Sequence, residues 1–155
     1  MANLVYNRGK FLTGQINLAA TSFELRVMLC STGYTSDDAH NTVDDGTTSD
    51  PASYEIGVSG YVRKDLASKA LFEDDSNDFA GLDAADVTWT ALGAGATIGW
   101  AVLFRYSSSG GTTSDTGQDL LAAYDLTDTP TNGGDITVTW ASTSAGGVLK
   151  IGSTS

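Results

Sequence analysis

The most apolar stretch of the sequence lies at residues 98–106 and reads IGWAVLFRY. Its apolar side chains run on without the alternation that would mark one face as exposed. A short continuous apolar run between segments rich in glycine, alanine and serine is typical of a strand that is buried on both faces. We therefore predict that residues 98–106 form the central strand of a β-sheet.

Further strands are predicted on both sides of this stretch. Strict alternation of apolar and polar side chains indicates strands at residues 23–29 and 136–140. Shorter β-branched or aromatic runs predict strands at residues 4–6, 54–56, 60–62, 87–90 and 147–151. Segments rich in Gly, Ser, Thr, Asn or Asp separate the strands at residues 35–51, 107–117, 132–135 and 141–146.

Helical signals are few and short. Single helical turns are predicted at residues 35–41, with Ser36 as the cap, and at residues 83–86, with Asp83 as the cap. Many short strands with 18 Gly and only 2 Pro favour sheets joined by tight turns. The sequence predicts an all-β protein with minor helical turns: one antiparallel, jelly-roll-like β-sandwich domain that spans residues 1–155.

The charge of the chain restricts its partners. It carries 19 Asp+Glu against 8 Lys+Arg, for a formal net charge of −11. Such an acidic surface repels phosphate backbones, so we expect no direct nucleic-acid binding. No apolar run reaches about 18 residues and no signal-peptide core is visible, so we expect no membrane span and folding in the cytoplasm of the producing cell.

Residues that could carry catalysis or bind a metal are scarce. The single His40 lies in an acidic loop, and the single Cys30 lies in a predicted strand, where it fills apolar space. Neither a nucleophile triad nor a zinc site is expected from one His and one Cys. Carboxylates cluster at residues 73–78, and this cluster is either a solvated acidic loop or a structural Ca²⁺ site. We predict no catalytic residue, no metal and no cofactor.

Surface aromatic and basic side chains are the candidates for protein contacts. Two of the three Trp residues alternate with Thr, so each lies either in the core or on an outer strand face, where it could bind a protein or a sugar. Basic residues form only two close pairs on this acidic chain. The candidate protein-interface residues are Trp89, Trp140, Arg63, Lys64, Arg8 and Lys10.

The order of several motifs resembles a family of small all-β virion structural proteins of tailed bacteriophages. The motifs are YNRGK at residues 6–10, YEIGVSGY at 54–61, DAADVTW at 83–89, LLAAYD at 120–125 and GVLKI at 147–151. The resemblance extends from Tyr6 to Ile151. Residues 63–65, Arg-Lys-Asp, depart from the family pattern, so the interface residues are not transferred from it.

This resemblance implies a non-enzymatic capsid decoration or cement protein on the exterior of the virion. Its expected partners are the major capsid protein and other copies of itself, as a homotrimer that suits a capsid lattice. The polar loops 35–51 and 107–117 are expected to be contact surfaces that become ordered on binding. Two alternatives stay open: a neck, tail or fibre-base component that adheres to the host surface, and a small glycan hydrolase that uses Asp74 and Asp75.

Overall fold

The computed structural model describes residues 4–6, 8, 19, 24–106 and 114–152. Its strands are β1 Leu4–Val5, β2 Glu24–Ser31, β3 Lys64–Asp65, β4 Ala70–Asp74, β5 Phe79–Asp83, β6 Val87–Trp89, β7 Thr97–Tyr106, β8 Leu120–Pro130, β9 Ile136–Val138 and β10 Leu149–Gly152. A short helix, α1, spans Pro51–Tyr54, and 3₁₀ turns lie at Asp115–Gly117 and Thr143–Ala145. The prediction of an all-β protein is confirmed.

A five-stranded antiparallel sheet with the order β1-β8-β7-β2-β3 organises the molecule. Strand β7 lies in the middle and is buried along most of its length, which confirms that residues 98–106 form a central strand covered on both faces. Its pairing with β8 shifts register between Ile98 and Trp100. At this irregularity a Cβ on Gly99 would lie 2.8 Å from the Cα of Thr32, so only glycine fits.

The first face of the central sheet is covered by two smaller sheets. These have the orders β10-β5-β4 and β6-β9, and all their strand pairs are antiparallel. They enclose a core with the inward side chains of β2 and β7, of which Leu25, Leu29, Ile98 and Leu103 are almost fully buried. Burial of such side chains, each worth about 1.5–3 kcal/mol, is the main stabilising contribution on this face.

The second face of the central sheet is covered by a loop rather than by strands. Residues 34–54 pass over Met28, Cys30 and Phe104, and Val43 in this loop is completely buried. The loop ends in α1, whose N-cap Asp50 accepts a hydrogen bond from the backbone N–H of Ser53 at 3.0 Å. Loop 35–51 is therefore held in place by the core through Val43, whereas most of its other residues are exposed, and its role as a contact surface stays a prediction.

Several finer predictions are not confirmed. The strands divide into sheets of five, three and two, rather than the two packed sheets of a jelly roll. Residues 54–56 and 60–62 are not strands, since Tyr54 ends α1 and Glu55 makes only an isolated bridge with Cys30. Of the two predicted helical turns, residues 35–41 hold only a single hydrogen-bonded turn, in which the His40 N–H donates to the Asp37 carbonyl oxygen, and residues 84–86 are irregular because Asp83 ends β5. Most of loop 107–117 lies outside the described residues.

Within the described ranges, no helix is long and apolar enough to cross a membrane.

Candidate functional site

We call the core between the central sheet and the two smaller sheets the first core. The sheet formed by β4, β5 and β10, called the outer sheet below, turns one face toward it. Leu71, Leu82 and Leu149 are paired across the three strands and form one row on that face. Leu82 and Leu149 are buried, whereas Leu71 on β4 is 53% exposed. The face therefore extends beyond the core at its β4 side.

The next row of the same face is exposed across the sheet. It consists of Glu73, Ala80 and Ile151, and Ile151 is 39% exposed. Leu71, Ala80 and Ile151 are cross-strand or diagonal neighbours, and we call these three residues the apolar patch. Only one further large apolar side chain is exposed among the described residues, Val62. Exposed apolar surface thus concentrates on the outer sheet, as at protein-binding surfaces.

The opposite face of the outer sheet holds it in shape. Phe72 and Phe79 pack edge to face with ring centroids 5.9 Å apart, and the ammonium of Lys150 lies 4.2 Å from the Phe79 centroid. A Cβ on Gly81 would lie 2.6 Å from Phe72 Cζ and 2.6 Å from the carbonyl oxygen of Leu149. Glycine at this position lets the Phe72 ring lie flat against the strand.

The turn between β4 and β5, residues 74–78, is acidic and is called the acidic turn. Asp74 accepts hydrogen bonds from the backbone N–H groups of Ser76 and Asn77 and from the Asn77 side chain. These bonds, chiefly the one from the Asn77 side chain, lower the pKa of Asp74. Asp75 and Asp78 are exposed beside it. The turn therefore presents negative charge at the end of the apolar patch.

The acidic turn matches the solvated alternative better than the calcium alternative. In the described part of the chain, no three His, Cys, Asp or Glu side chains converge as metal ligands. Both carboxylate oxygens of Asp74 are occupied by the turn's own donors. The same bonds engage the carboxylate that the glycan-hydrolase alternative would use as one of its two catalytic groups.

His40 is buried under the loop that covers the second face. It is 5% exposed, and its Nε2 lies 3.4 Å from Ser49 Oγ. Its Nδ1 has no hydrogen-bond partner among the residues that the structure describes. A Ser-His-Asp triad needs a carboxylate at that nitrogen to hold the imidazole in the working tautomer. The Ser49–His40 pair therefore does not have the geometry of a catalytic triad.

Trp89 and Trp140 belong to the first core. Trp89 is completely buried and its Nε1 donates to the carbonyl oxygen of Val62 at 2.7 Å. Trp140 is 9% exposed and its Nε1 donates to the carbonyl oxygen of Ala85 at 3.0 Å. The prediction that these two Trp side chains lie on an outer strand face is wrong for both. Each side chain packs in the core, where its indole N–H donates to a backbone carbonyl oxygen.

Arg63 lies in an intramolecular ion network. Its guanidinium contacts Glu55 at 2.6 Å and Asp115 at 2.6 Å, with two hydrogen bonds to each carboxylate. Tyr61 donates to the same Glu55 at 2.6 Å and accepts from the Leu29 backbone N–H. The network joins the segment after α1 to the 3₁₀ turn before β8, so the described geometry gives Arg63 a structural role.

The other predicted basic residues are dispersed. Arg8 Nε donates to Asp119 at 2.8 Å, and Arg105 contacts the second oxygen of the same carboxylate at 3.3 Å. Lys64 lies on β3, half-buried and in register with Val27. Lys10 lies outside the described residues. Arg8, like Arg63, is thus engaged by a carboxylate of the chain itself.

Cys30 is expected to be unreactive in the folded protein. It is completely buried in β2 and burial raises the pKa of its thiol, so little thiolate forms near neutral pH. We expect native protein to resist iodoacetamide at about pH 8 and to react fully in guanidinium chloride. Mass spectrometry after timed alkylation measures this, and rapid labelling of native protein would contradict the burial.

The outer-sheet strands β4 and β5 were not predicted from the sequence, although their signal is present, whereas the strand at residues 147–151 was predicted and corresponds to β10. Two apolar runs, residues 70–72 and 79–82, flank a turn-forming acidic segment. This spacing is typical of a β-hairpin with a longer loop. The carboxylates at residues 73–78 were interpreted as metal ligands, catalytic groups or solvated charges, and their position at a hairpin turn was not recognised.

A search of protein-family models, of curated proteins and of solved structures found no match for this chain. The described fold and surface define an all-β domain with buried tryptophans and one exposed apolar, acid-rimmed sheet face.

Proposed function

We propose that this protein is a non-enzymatic structural component of a tailed-phage particle that binds the outer surface of the capsid shell and stabilises it. The observation that carries the binding role is the apolar patch, where Leu71 and Ile151 lie exposed on one face of the outer sheet. Exposed apolar groups that lie together favour protein association more than scattered ones do. The phage setting is supported by the family resemblance of the sequence.

The internal location of the reactive side chains supports a binding role rather than catalysis. His40 and Cys30 are buried in the covering loop and the core, and Asp74 is engaged in its own turn. The alternative of host-surface adhesion depended on outward Trp89 or Trp140. Because both are core residues, that alternative has lost the side chains proposed for it.

The mechanism would be mechanical. Copies of the protein that bridge adjacent capsid subunits bind the closed shell. Opening of the shell then costs additional free energy, because these contacts have to be broken. The homotrimer stays a prediction, and so do the major capsid protein as partner and the location on the virion exterior. A trimer would have to keep the acidic turns of its copies apart, because each chain carries a net charge of −11.

Heat release of DNA from purified particles tests this role. Particles that have lost the protein should release DNA at a lower temperature, and adding the purified protein back should restore the original midpoint. A midpoint that does not change on removal or addition would overturn the stabilising role.

A further inference from the structure

Strand β4 is an open edge of the outer sheet. In the order β10-β5-β4 its only partner among the described residues is β5. An edge strand presents a row of backbone N–H and C=O groups to any extended chain that approaches it. Addition of a strand there would continue the apolar face of the sheet beyond Leu71, which is 53% exposed.

The negative charge next to the β4 edge determines which charge a partner strand should carry. Glu73, Asp74, Asp75 and Asp78 lie at the hairpin end of the outer sheet, and together with Ile151 they line a shallow cleft. Lys150 packs over Phe79 on the opposite face, and among the carboxylates of this cluster its charge helps to lower the pKa of Asp74. A second copy of the chain, also at −11, would be repelled. Complementarity therefore favours a cationic partner.

We propose that β4 and the apolar patch bind an extended cationic segment of a partner protein, which adds to the outer sheet as a further strand. An apolar side chain of the segment packs beside Leu71, the patch residue that lies on β4 itself, and its Lys or Arg side chains near the hairpin end meet the carboxylates of Glu73, Asp75 and Asp78. The inference rests on the proposed binding function and deepens it by naming the chemistry of the partner.

A fluorescent peptide of Val-Thr-Lys-Thr repeats, which places Val and Lys on the same face of an extended strand, is the probe, with anisotropy as the readout on the whole chain. We expect saturable binding that weakens steeply as salt rises, because the attraction is partly between exposed charges. The same peptide with every amide N-methylated should not bind, since it cannot donate to the β4 edge. Equal binding of the methylated peptide would overturn strand addition.

Two sets of variants separate the apolar and acidic contributions. The double variant Leu71→Ser/Ile151→Ser should bind at least about tenfold more weakly, because the added strand buries the Leu71 side chain and burial of one large apolar side chain is worth roughly that factor. Val62→Ser is its matched control, as it removes the exposed apolar side chain that lies outside the outer sheet. Wild-type affinity in the double variant would overturn the role of the patch.

The triple variant Glu73→Gln/Asp75→Asn/Asp78→Asn removes three charges and keeps Asp74, which the turn needs. Asn tolerates the positive φ of 53° at position 78. We expect weaker binding and a flatter salt dependence. An unchanged salt dependence would overturn the role of the acidic turn.

The control for charge alone is the triple variant Asp38→Asn/Asp125→Asn/Asp128→Asn. It also removes three negative charges, but at positions outside the outer sheet. It should bind like the wild type. Equal weakening in both triple variants would mean that only net charge matters and would overturn the specific surface.

Incorporation into phage particles distinguishes failure of this inference from failure of the proposed function. If wild-type protein is incorporated and the Leu71→Ser/Ile151→Ser variant is incorporated equally, the binding function stands and the outer sheet is not the docking surface. If wild-type protein is absent from particles, the capsid role fails, and the peptide measurements alone decide the inference. Thermal unfolding of each variant checks that the fold is intact.

Discussion

Replacing Trp89 with alanine is expected to lower the free energy of unfolding by about 4 kcal/mol, the largest single-residue loss that we expect. Trp89 is completely buried in the first core, and its Nε1 donates to the carbonyl oxygen of Val62. Truncation removes an indole ring and leaves a cavity, and that carbonyl loses its partner. The midpoint of thermal unfolding should fall by about 12 °C for a chain of this length.

The conservative variant Trp89→Phe is the control for this prediction. It keeps an aromatic ring in the core and removes the hydrogen bond, so we expect a loss of about 1–2 kcal/mol. Urea denaturation measures the free energy of unfolding of both variants and of the wild type. The slope of this free energy against urea concentration is compared among the three proteins, because a change in slope reveals a change in the denatured state. A loss below about 1 kcal/mol in Trp89→Ala would contradict the core position and revive an outward Trp89.

Replacing Arg63 with methionine is expected to cost about 2 kcal/mol, because it leaves two partly buried carboxylates without their shared cation. The side chains of Arg63, Glu55 and Asp115 are 23%, 19% and 28% exposed, so water screens the pairs only in part. Methionine keeps much of the apolar stem of Arg63 and isolates the loss of charge. The change should weaken the connection between the segment after α1 and the turn before β8.

Arg26→Met is the matched control for Arg63→Met. Arg26 pairs with Asp65, whose side chain is 70% exposed, and its guanidinium lies 3.5 Å from the centroid of the Tyr106 ring. Exposed ion pairs contribute little, so we expect a loss of at most about 1 kcal/mol. Equal losses in the two variants, measured by urea unfolding, would show that the network around Arg63 is no stronger than a surface ion pair.

The parts of the fold that depend on local pattern could be predicted from the sequence. The unbroken apolar run of β7 indicated burial on both faces, and the alternation of residues 23–29 indicated β2. The features that could not be predicted depend on contacts between segments that lie far apart in the sequence. Whether Trp89 lies inside or outside is decided by the segment at Val62, 27 positions away, which no periodicity within β6 reveals.

The candidate site was harder to predict for the same reason. The exposure of Leu71 and Ile151 follows from the outer sheet extending past the core, and that depends on the pairing of β10 with β5 across about 70 residues. Arg63 was recognised as a possible contact residue, but its partner Asp115 lies 52 positions away, so its intramolecular role was not visible. The cluster of carboxylates in the acidic turn could be recognised from the sequence, but its position at the end of an apolar sheet face could not.

The most direct test of the proposed capsid role is the number of copies of this protein per copy of the major capsid protein, by quantitative mass spectrometry of purified phage particles. The proposed role predicts a ratio near one, or a fixed large fraction of one, since a decoration protein covers the lattice. A dozen or so copies per particle would contradict it and place the protein at the neck, tail or vertices.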